Sequence, residues 1–246
     1  MTEGTGIRDA AVAAFRDARH ICVLTGAGIS AESGVPTFRE AQSGLWEQYD
    51  PLDLATPDAF LRDPELIWRW YRWRRELVAR AEPNAGHQAL ATLAKLVPRL
   101  TLVTQNVDGL HQRAGSKDVI EFHGNLFENR CFAEDCVVDC NAKAEVPVCP
   151  GCGSNVRPGV VWFGEAIPEQ ALNRSFAAAA DCDVFLSIGT SSLVFPAAGL
   201  ADIANSSGAV VIEINPNPTE MSVGFDYAIA GNAGSVLPEL IDSLAG

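Results

Sequence analysis

The sequence predicts an α/β fold, an open parallel sheet that carries a small second lobe, and three observations lead to this prediction. Short apolar runs alternate with longer segments of helical periodicity along the chain. The first apolar run passes directly into a glycine-rich turn, which is typical of a buried parallel strand. Residues 50–96 and 129–157 interrupt the alternation, and we assign both segments to the small lobe.

Each strand of the predicted sheet corresponds to one apolar run. We predict strands at residues 20–25, 100–104, 119–122, 183–188 and 209–214, and helices at 6–19, 168–180 and 196–205. In the first interruption, a capping residue precedes a proline twice, at Thr56-Pro57 and at Asp63-Pro64. This pattern predicts a short helix and then a longer one that ends near residue 80. A third helix is predicted at 85–96, and the discontinuous sheet domain comprises residues 1–49, 97–128 and 158–246.

Composition and charge argue against several classes of protein. The 246 residues are 48% hydrophobic, which is enough for one large domain with a small module. A net charge of -13 argues against a nucleic-acid partner, since nucleic-acid binders usually carry a basic face. No apolar run reaches the roughly 18 residues of a membrane-spanning helix, and residues 1–19 lack the layout of a secretory signal. We therefore expect a cytoplasmic protein with no membrane and no nucleic-acid partner. Separately, we expect a monomer.

A glycine-rich turn, GAGISAESG at residues 26–34, follows the first predicted strand. Glycines allow the backbone to turn tightly and approach a pyrophosphate, whose charge is met by N–H groups at a helix start. The spacing differs from the full dinucleotide fingerprint, so the turn alone leaves a nucleotide site and an ordinary strand-to-helix turn both open. Its position favours the nucleotide, and with it a Rossmann-like sheet. Arg39, in the next block, either meets a phosphate or ribose or lies on the surface over Phe38.

Polar side chains follow the predicted strands at the edge where open parallel sheets bind ligands. Asn106 and Asp108 come just after the second strand, where they could bind a ribose and an amide or simply cap the loop. His123 follows the third strand, and histidine titrates near neutral pH, which suits a general base. A structural histidine is the alternative there, and the residues alone leave both open.

The seven cysteines indicate a metal site rather than disulfides in a cytosolic chain, because five of them fall between Cys131 and Cys152. Four thiolates in two close pairs suit tetrahedral Zn²⁺. Cys149 and Cys152 form one tight pair, and the other pair begins at Cys131. For its second member, Cys136 is our first choice and Cys140 our second.

Six separated blocks of the sequence together resemble the pattern of the sirtuin family. The blocks are GAGISAESGVPTFR (26–39), QNVD with His111 (105–111), HG (123–124), VVWFGE (160–165), GTSS (189–192) and NPN (215–217). They occur in the family's order and extend from about residue 20 to the C-terminus. Six ordered blocks are far more specific than a single glycine turn.

The resemblance implies an NAD-dependent protein-lysine deacylase with one structural zinc ion. Such enzymes act on acyl-lysine side chains of proteins and release nicotinamide, free lysine and O-acyl-ADP-ribose. His123 would be the catalytic base, with Gly124 leaving room for its ring, and Asn106 would assist. The implied cofactor-binding residues are Gly26, Ala27, Gly28, Ser30, Glu32, Thr37, Phe38, Arg39, Gln105, Asn106, Asp108, Gly189, Thr190, Ser191, Asn215, Asn217 and Ala233. The implied zinc ligands are Cys131, Cys136, Cys149 and Cys152, although four residues separate the first pair here where the family has two.

The long helix of the first interruption bears on acyl specificity. Tyr71 and Arg74 are three residues apart and share a helix face. A Tyr-x-x-Arg pair at this place resembles the pair found in sirtuins that accept succinyl or malonyl groups. The chemistry fits these groups, because arginine can bind a carboxylate bidentately while tyrosine donates its hydroxyl. Ala55 aligns with a small residue that leaves room for the longer acyl chain. The alternative is an exposed basic face, shared with Arg69, Arg72 and Arg75.

An apolar run at 160–163 is the remaining implied contact with substrate. In the family this run pairs with the substrate backbone as an added strand, here through Val160, Val161 and Phe163. A core strand is the alternative, and the two are compatible.

Other functions fit parts of the pattern. A mono-ADP-ribosyltransferase would use the same NAD site with a protein nucleophile, and a non-catalytic NAD sensor would bind partners. An NAD oxidoreductase fits least, because the glycine turn lacks the ordinary fingerprint spacing. The presence of His123 and of the acyl-lysine features favours deacylation.

Overall fold

A computed structural model describes residues 2–36, 49–217 and 219–245. Its strands are β1 (His20–Thr25), β2 (Arg99–Thr104), β3 (Ile120–Glu121), β4 (Gly124–Cys131), β5 (Val156–Val160), β6 (Val184–Ile188), β7 (Val210–Asn215) and β8 (Tyr227–Ala230). Its helices are α1 (Thr2–Asp17), α2 (Ala27–Ala31), α3 (Pro51–Leu54), α4 (Pro57–Arg62), α5 (Pro64–Arg80), α6 (Ala85–Leu96), α7 (Leu110–Arg113), α8 (Glu169–Asp181), α9 (Gly199–Ser206) and α10 (Ala233–Ala245). A 3-10 helix at Glu220–Gly224 lies between β7 and β8. None of the described helices has the length and apolar character needed to cross a bilayer.

Six parallel strands form the main sheet of the described chain, in the order β3-β2-β1-β6-β7-β8. The chain first adds strands on one side of β1 and then, from β6 onward, on the other side. The direction of winding therefore reverses between β1 and β6, which lie side by side with Ile21 next to Val184. In open parallel sheets such a reversal creates a crevice at the carboxyl ends of the strands, where ligands bind.

Helices cover both faces of this sheet, because successive strand residues point to opposite sides. On β1, Ile21 and Val23 belong to the core that α1, α6 and α10 complete. Cys22 and Leu24, on the other face, belong to the core with α8 and α9. Burial on both faces explains why His20–Thr25 reads as an unbroken apolar run.

A separate core holds the small lobe together. Strands β4 and β5 pair in antiparallel fashion, and α4 and α5 pack against them. The large buried side chains of this core include Phe60, Trp68 and Trp162, and the same cluster contains Cys131. Trp68 donates its indole N–H to the Val156 carbonyl at 2.7 Å, which joins α5 to β5.

Several predicted elements agree closely with the observed ones. β1 and α6 have the predicted bounds, and the two predicted caps precede α4 and α5. Thr56 Oγ1 accepts a hydrogen bond from the Ala59 N–H, and Asp63 Oδ1 accepts one from the Leu66 N–H. The sequence did not predict β4, β8 or α10.

Helix α6 departs from the predicted division of the chain. We placed residues 50–96 as a whole in the small lobe, but Leu90 and Leu93 of α6 are buried in the core of the main sheet. The physical reason lies in the connection, because α6 is the segment that leads the chain back into β2 beside β1. A crossover helix between adjacent parallel strands packs on the sheet that it serves.

Candidate active site

A cavity of about 1400 Å³ opens where β1, β2, β6 and β7 end. Residues from all four of these strand ends and from the small lobe line it. The predicted site residues among them are Gly26, Ala27, Gly28, Ser30, Ala55, Tyr71, Arg74, Gln105, Asn106, Asp108, His123, Val160, Val161, Phe163, Gly189, Thr190, Ser191, Asn215 and Asn217. The fold therefore brings together at one crevice most of the residues that we selected from the sequence.

Five predicted cofactor residues stand outside this set. Three of them lie outside the described residues, namely Thr37, Phe38 and Arg39. The carboxylate of Glu32 accepts a hydrogen bond from the Gly234 N–H at 2.7 Å, so it links α2 to α10 instead of lining the cavity. Ala233 is buried at the start of α10 and does not line the cavity either.

The glycines after β1 are needed because two backbone turns approach each other closely. The Gly28 N–H donates to the Gly189 carbonyl at 2.7 Å, and a Cβ on Gly28 would lie 2.7 Å from the Gly189 Cα. A Cβ on Gly26 would lie 2.8 Å from the same carbonyl oxygen. Gly189 itself has a φ of 58°, in the left-handed region that favours glycine. The turns after β1 and β6 thus meet with no side chain between them.

Asn106, Ser30 and Asp108 form a hydrogen-bonded chain beside this turn. The Asn106 side-chain nitrogen donates to the Gly26 carbonyl at 2.9 Å and to Ser30 Oγ at 3.0 Å. Ser30 Oγ donates to Asp108 Oδ2 at 2.7 Å, and Asp108 Oδ1 accepts from the Leu110 N–H at 2.9 Å. Both amide hydrogens of Asn106 are engaged, so its oxygen is the atom to which a ribose hydroxyl or a water could donate.

The imidazole of His123 is set by a single hydrogen bond to the backbone. Its Nδ1 lies 3.2 Å from the carbonyl oxygen of Gln105. Because a carbonyl can only accept, Nδ1 carries the proton and Nε2 keeps its lone pair. Burial lowers the pKa of His123 by more than the Gln105 carbonyl raises it. The ring is therefore neutral at pH 7, and Nε2 can accept a proton.

Gly124 is required for a reason beyond the predicted one. We expected this glycine to leave room for the His123 ring. Its φ is 79°, and a Cβ there would overlap the carbonyl oxygen of Gly159 on β5. Glycine is thus required by the close pairing of β4 with β5, which brings the Val161 N–H to the His123 carbonyl at 2.8 Å.

Thr190 connects the loops that follow β2, β6 and β7. Its Oγ1 accepts a hydrogen bond from the Gln105 side chain at 3.0 Å. Its carbonyl accepts one from the Asn215 side chain at 2.9 Å. The three strand ends are therefore held in one arrangement by their own polar side chains, as a site for the ribose and phosphate groups of a dinucleotide requires.

Tyr71, Arg74 and Ala55 of the small lobe also line the cavity. The phenol oxygen of Tyr71 accepts the indole N–H of Trp162 at 2.8 Å. Burial raises the pKa of Tyr71 to about 12, so the phenol stays protonated at neutral pH. Burial lowers the pKa of the Arg74 guanidinium, while the nearby Tyr71 and Asp108 raise it.

The arginines of α5 do not form one exposed basic face. Arg72 donates to the backbone carbonyls of Ala144 and Glu145, in the cysteine segment. Arg75 donates to carbonyls of β4, at 2.7 Å to Leu126. Arg74 lines the cavity instead, and Arg69 is exposed. Helical geometry turns each of these arginines toward different surroundings.

Three cysteine sulfurs converge in the small lobe and fit a zinc ion. The Sγ atoms of Cys131, Cys149 and Cys152 all lie within 4.8 Å of one another, and those of Cys131 and Cys152 are 3.4 Å apart. Tetrahedral Zn²⁺ with Zn–S bonds of about 2.3 Å requires sulfurs that are roughly 3.8 Å apart. Backbone N–H groups of Cys152 and Gly151 lower the pKa of Cys149, which favours the thiolate that a metal needs.

Cys136, our first choice for the remaining ligand, lies outside this group of sulfurs and is exposed. Its carbonyl oxygen, not its thiol, meets Cys131, whose N–H donates to it at 2.9 Å. Cys140, our second choice, also lies outside the group. The longer spacing after Cys131 forms a turn at Asp135, with a φ of 47°, and this turn carries the next cysteine away from the other thiols.

Sequence reasoning missed the side chains that contact and support Tyr71. Trp162 lies inside a recognised block, but we gave it no role, and we did not consider Arg157 at all. A signal existed for the first of them, because a buried tryptophan needs a partner for its N–H. For Arg157, no feature of the sequence indicates that its charge is buried.

The strand order, the glycine turn and the polar crevice define a dinucleotide-binding α/β protein with a thiol-rich small lobe. Residues 26–196 match the Sir2 family, and the chain belongs to this family. It is 49% identical to an NAD-dependent protein deacylase of Methylococcus capsulatus, over 96% of each chain. It is also 49% identical to NAD-dependent protein deacylase 1 of Pseudomonas aeruginosa, over 94% of this chain and 97% of that protein.

A solved structure has the same fold. The complex of a Sir2 homologue with NAD superposes with a TM-score of 0.91 at 44% identity, and the match covers 96% of this chain and 93% of the other. The sirtuin resemblance and the predicted fold class are thus confirmed.

Proposed function

We propose that this Sir2-family NAD-dependent protein deacylase removes succinyl and malonyl groups from lysine side chains, in addition to acetyl groups. One observation carries the acidic-acyl part of the proposal, namely that Tyr71 and Arg74 line the cavity together. The Tyr71 phenol is held neutral by burial, and an arginine guanidinium is a cation at neutral pH, so the two side chains offer donors suited to a carboxylate. Ala55 is small and buried beside them, which leaves room for a longer acyl chain.

The cavity residues at the strand ends fit NAD as co-substrate. The glycine turn, Asn106 and the Thr190-centred loops present backbone and amide groups of the kind that bind phosphates and riboses. When bound, NAD supplies an electrophilic ribose carbon that captures the acyl oxygen as nicotinamide leaves. The overall reaction also consumes one water, so that the free lysine amine leaves and the acyl group remains as an ester on ADP-ribose.

His123 fits the role of general base in this reaction. Its Nε2 is unprotonated, and the Gln105 carbonyl fixes the ring through Nδ1. Nε2 can therefore take the proton of a ribose hydroxyl as that hydroxyl attacks the captured acyl group. A neutral, fixed base supports catalysis over the alternative of a non-catalytic NAD sensor.

The peptide would bind along the segment after β5. Val160, Val161 and Phe163 line the cavity, and the Phe163 N–H donates to the Ala55 carbonyl at 2.9 Å. This bond ties the proposed substrate segment to Ala55, which lines the same cavity as Tyr71 and Arg74. Zinc, held by Cys131, Cys149 and Cys152, would stabilise the small lobe and takes no part in the chemistry.

The test is to incubate the protein with acetyl-lysine and succinyl-lysine peptides, with and without NAD, and to follow products by mass spectrometry. We expect NAD-dependent release of the free lysine peptide with O-succinyl-ADP-ribose, faster than the acetyl reaction. Acetyl removal alone would keep the deacylase and overturn the acidic-acyl preference. A mass gain on protein would favour mono-ADP-ribosyl transfer, and no turnover of NAD would favour a sensor.

A further inference from the structure

The hydrogen bond between Trp162 and Tyr71 has a fixed direction. Both side chains are buried, and the indole Nε1 lies 2.8 Å from the phenol oxygen. An indole N–H can only donate, so the phenol oxygen must accept. The hydroxyl hydrogen of Tyr71 therefore points to a different acceptor, and this residue lines the cavity beside Arg74.

Trp162 is itself held firmly in this orientation. The Arg157 guanidinium lies over its ring, 3.5 Å from the centroid. Glu165 Oε2 accepts the backbone N–H of Trp162 at 2.7 Å. Arg157 pairs with both oxygens of Glu165 and also donates to the Val160 carbonyl at 2.7 Å. One partly buried ion pair thus fixes both the plane of the Trp162 indole and the backbone of this residue.

We propose that Trp162 is a positioning residue for acyl specificity, which fills the acceptor site of Tyr71 and turns the Tyr71 hydroxyl, together with Arg74, toward the carboxylate of an acidic acyl chain. This inference rests on the proposed function, and it adds a residue outside the Tyr-x-x-Arg pair. Without the indole N–H, the Tyr71 hydroxyl is free to rotate so that its hydrogen points elsewhere, or the phenol oxygen can accept a hydrogen bond from Arg74. Either change would weaken the donor pair for a carboxylate without removing a group that contacts it.

A purely packing role for Trp162 makes a different prediction. The ring also contacts Phe60, with centroids 5.3 Å apart, so shortening it could loosen the whole lobe. Trp68 provides the matched control, because it is buried in the same core and its indole N–H donates to a backbone carbonyl, not to Tyr71. Trp162→Phe and Trp68→Phe each remove one buried indole N–H from this lobe. Replacing Trp162 with 3-benzothienylalanine removes the N–H while keeping the size of the ring system.

The experiment measures the ratio of kcat/KM for succinyl-lysine to that for acetyl-lysine peptide. Wild type, Trp162→Phe, Tyr71→Phe, the double variant, Trp68→Phe and the benzothienyl protein are compared. We expect Trp162→Phe and the benzothienyl protein to lower the ratio roughly five- to tenfold, the worth of one hydrogen bond. Trp68→Phe should leave the ratio unchanged. In the Tyr71→Phe background, Trp162→Phe should have no further effect, because it acts through the phenol.

An unchanged ratio in the benzothienyl protein, or equal effects of Trp162→Phe with and without Tyr71, would overturn the positioning role. Arg74→Met separates this result from a failure of the proposed function. If Arg74→Met lowers the ratio but Trp162 variants do not, only the inference about Trp162 fails. If this ratio is close to one in both wild type and Arg74→Met, the proposed acidic-acyl function fails, and the inference about Trp162 fails with it.

Discussion

At the scale of single residues, protonation at the active site is decided by surroundings. An isolated imidazole is about half protonated near pH 6.5. Burial shifts the balance at His123 toward the neutral form, and the Gln105 carbonyl selects which nitrogen keeps the proton. At Tyr71 the same burial acts on an acid and keeps its proton in place. One low-dielectric cavity thus yields a base at one position and a neutral donor at another.

The pH dependence of catalysis follows from His123. Its pKa lies below the ordinary value, so the base is deprotonated throughout the neutral range and is lost only as pH falls through that lowered pKa. We expect kcat/KM to be flat above pH 7 and to decline on an acid limb that begins below about pH 6.5. The measurement is kcat/KM for acetyl-lysine peptide from pH 5 to pH 8. An acid limb centred above pH 7 would contradict the assignment.

Arg74 should affect the preference between acyl groups more than it affects the rate of the reaction steps that all acyl groups share. Replacing it with methionine removes a charge-assisted contact to the succinyl carboxylate, worth about 1.5–3 kcal/mol or roughly 10- to 100-fold. We expect Arg74→Met to lose most desuccinylation while keeping most deacetylation. Arg69→Met, on the exposed side of the same helix, should change neither. Equal loss on both peptides would contradict a specificity role.

The motif residues could be predicted from the sequence, but for some of them the physical reason why that residue type is present could not. Gly124 was selected as part of a block, but the structural requirement for glycine there comes from the Gly159 carbonyl on a different strand. Cys136 was selected by spacing, whereas the turn at Asp135 removes its thiol from the group. The role that we propose for Trp162 depends on Tyr71, a partner 91 positions away. Contacts between distant segments are not encoded in local pattern, so these roles required the structure.

At the scale of elements, α5 organises the whole small lobe. Its 3.6-residue period turns Tyr71 and Arg74 toward the cavity, while Arg72 and Arg75 reach the segments that surround the cysteines. The same helix therefore joins the cavity to the segments around the thiol group. Sequence analysis predicted α5 and its cap, because proline and aspartate are strong local signals. It could not assign its faces, since arginines lie all around the helix.

Zinc should stabilise this lobe through three specific thiols. We expect about one zinc ion for each chain in metal analysis, and Cys149→Ser should lose it and lower the Tm. The expected loss of stability is on the order of several kcal/mol, which corresponds to roughly 10 °C for a chain of this size.

Cys136→Ser is the matched control for this prediction, because it also removes a thiol from the same segment but lies outside the group. This variant should retain zinc and the wild-type Tm. Loss of zinc from Cys136→Ser to the same extent as from Cys149→Ser would show that the segment rearranges around the metal.

At the scale of the whole molecule, the sequence predicted a parallel sheet but not its strand order. An apolar run indicates that a strand is buried, but it does not indicate which strands lie next to it. The neighbours of β1 are β2 and β6, which come from distant parts of the chain. β8 has only four residues, two of them exposed, so its apolar signal is weak. α10 contains Pro238, which ordinarily ends a helix, and it still packs on the sheet with Leu237 and Leu240. Tertiary burial outweighs local preference at these elements.

Buried histidines beneath the site should make the stability of the whole protein sensitive to acid. His111 is buried against His87, and burial first and His87 second lower the pKa of His111 to about 3. The unfolded chain takes up a proton at this residue below about pH 6.5, whereas the folded chain does not. Stability from a neutral His111 is therefore complete above pH 6.5 and is lost as pH falls from there toward 3, by about 2 kcal/mol at pH 5.

Urea unfolding at pH 7 and at pH 5 measures this effect, with His111→Asn as the comparison. The substitution will itself change stability, because Nε2 of His111 lies 2.9 Å from Thr25 Oγ1. The informative quantity is thus the difference between the two pH values within each protein. Wild type should lose about 2 kcal/mol more than His111→Asn over this interval. Equal losses would mean that folded His111 takes up a proton as easily as the unfolded chain, which a ring confined between the sheet and His87 should not do.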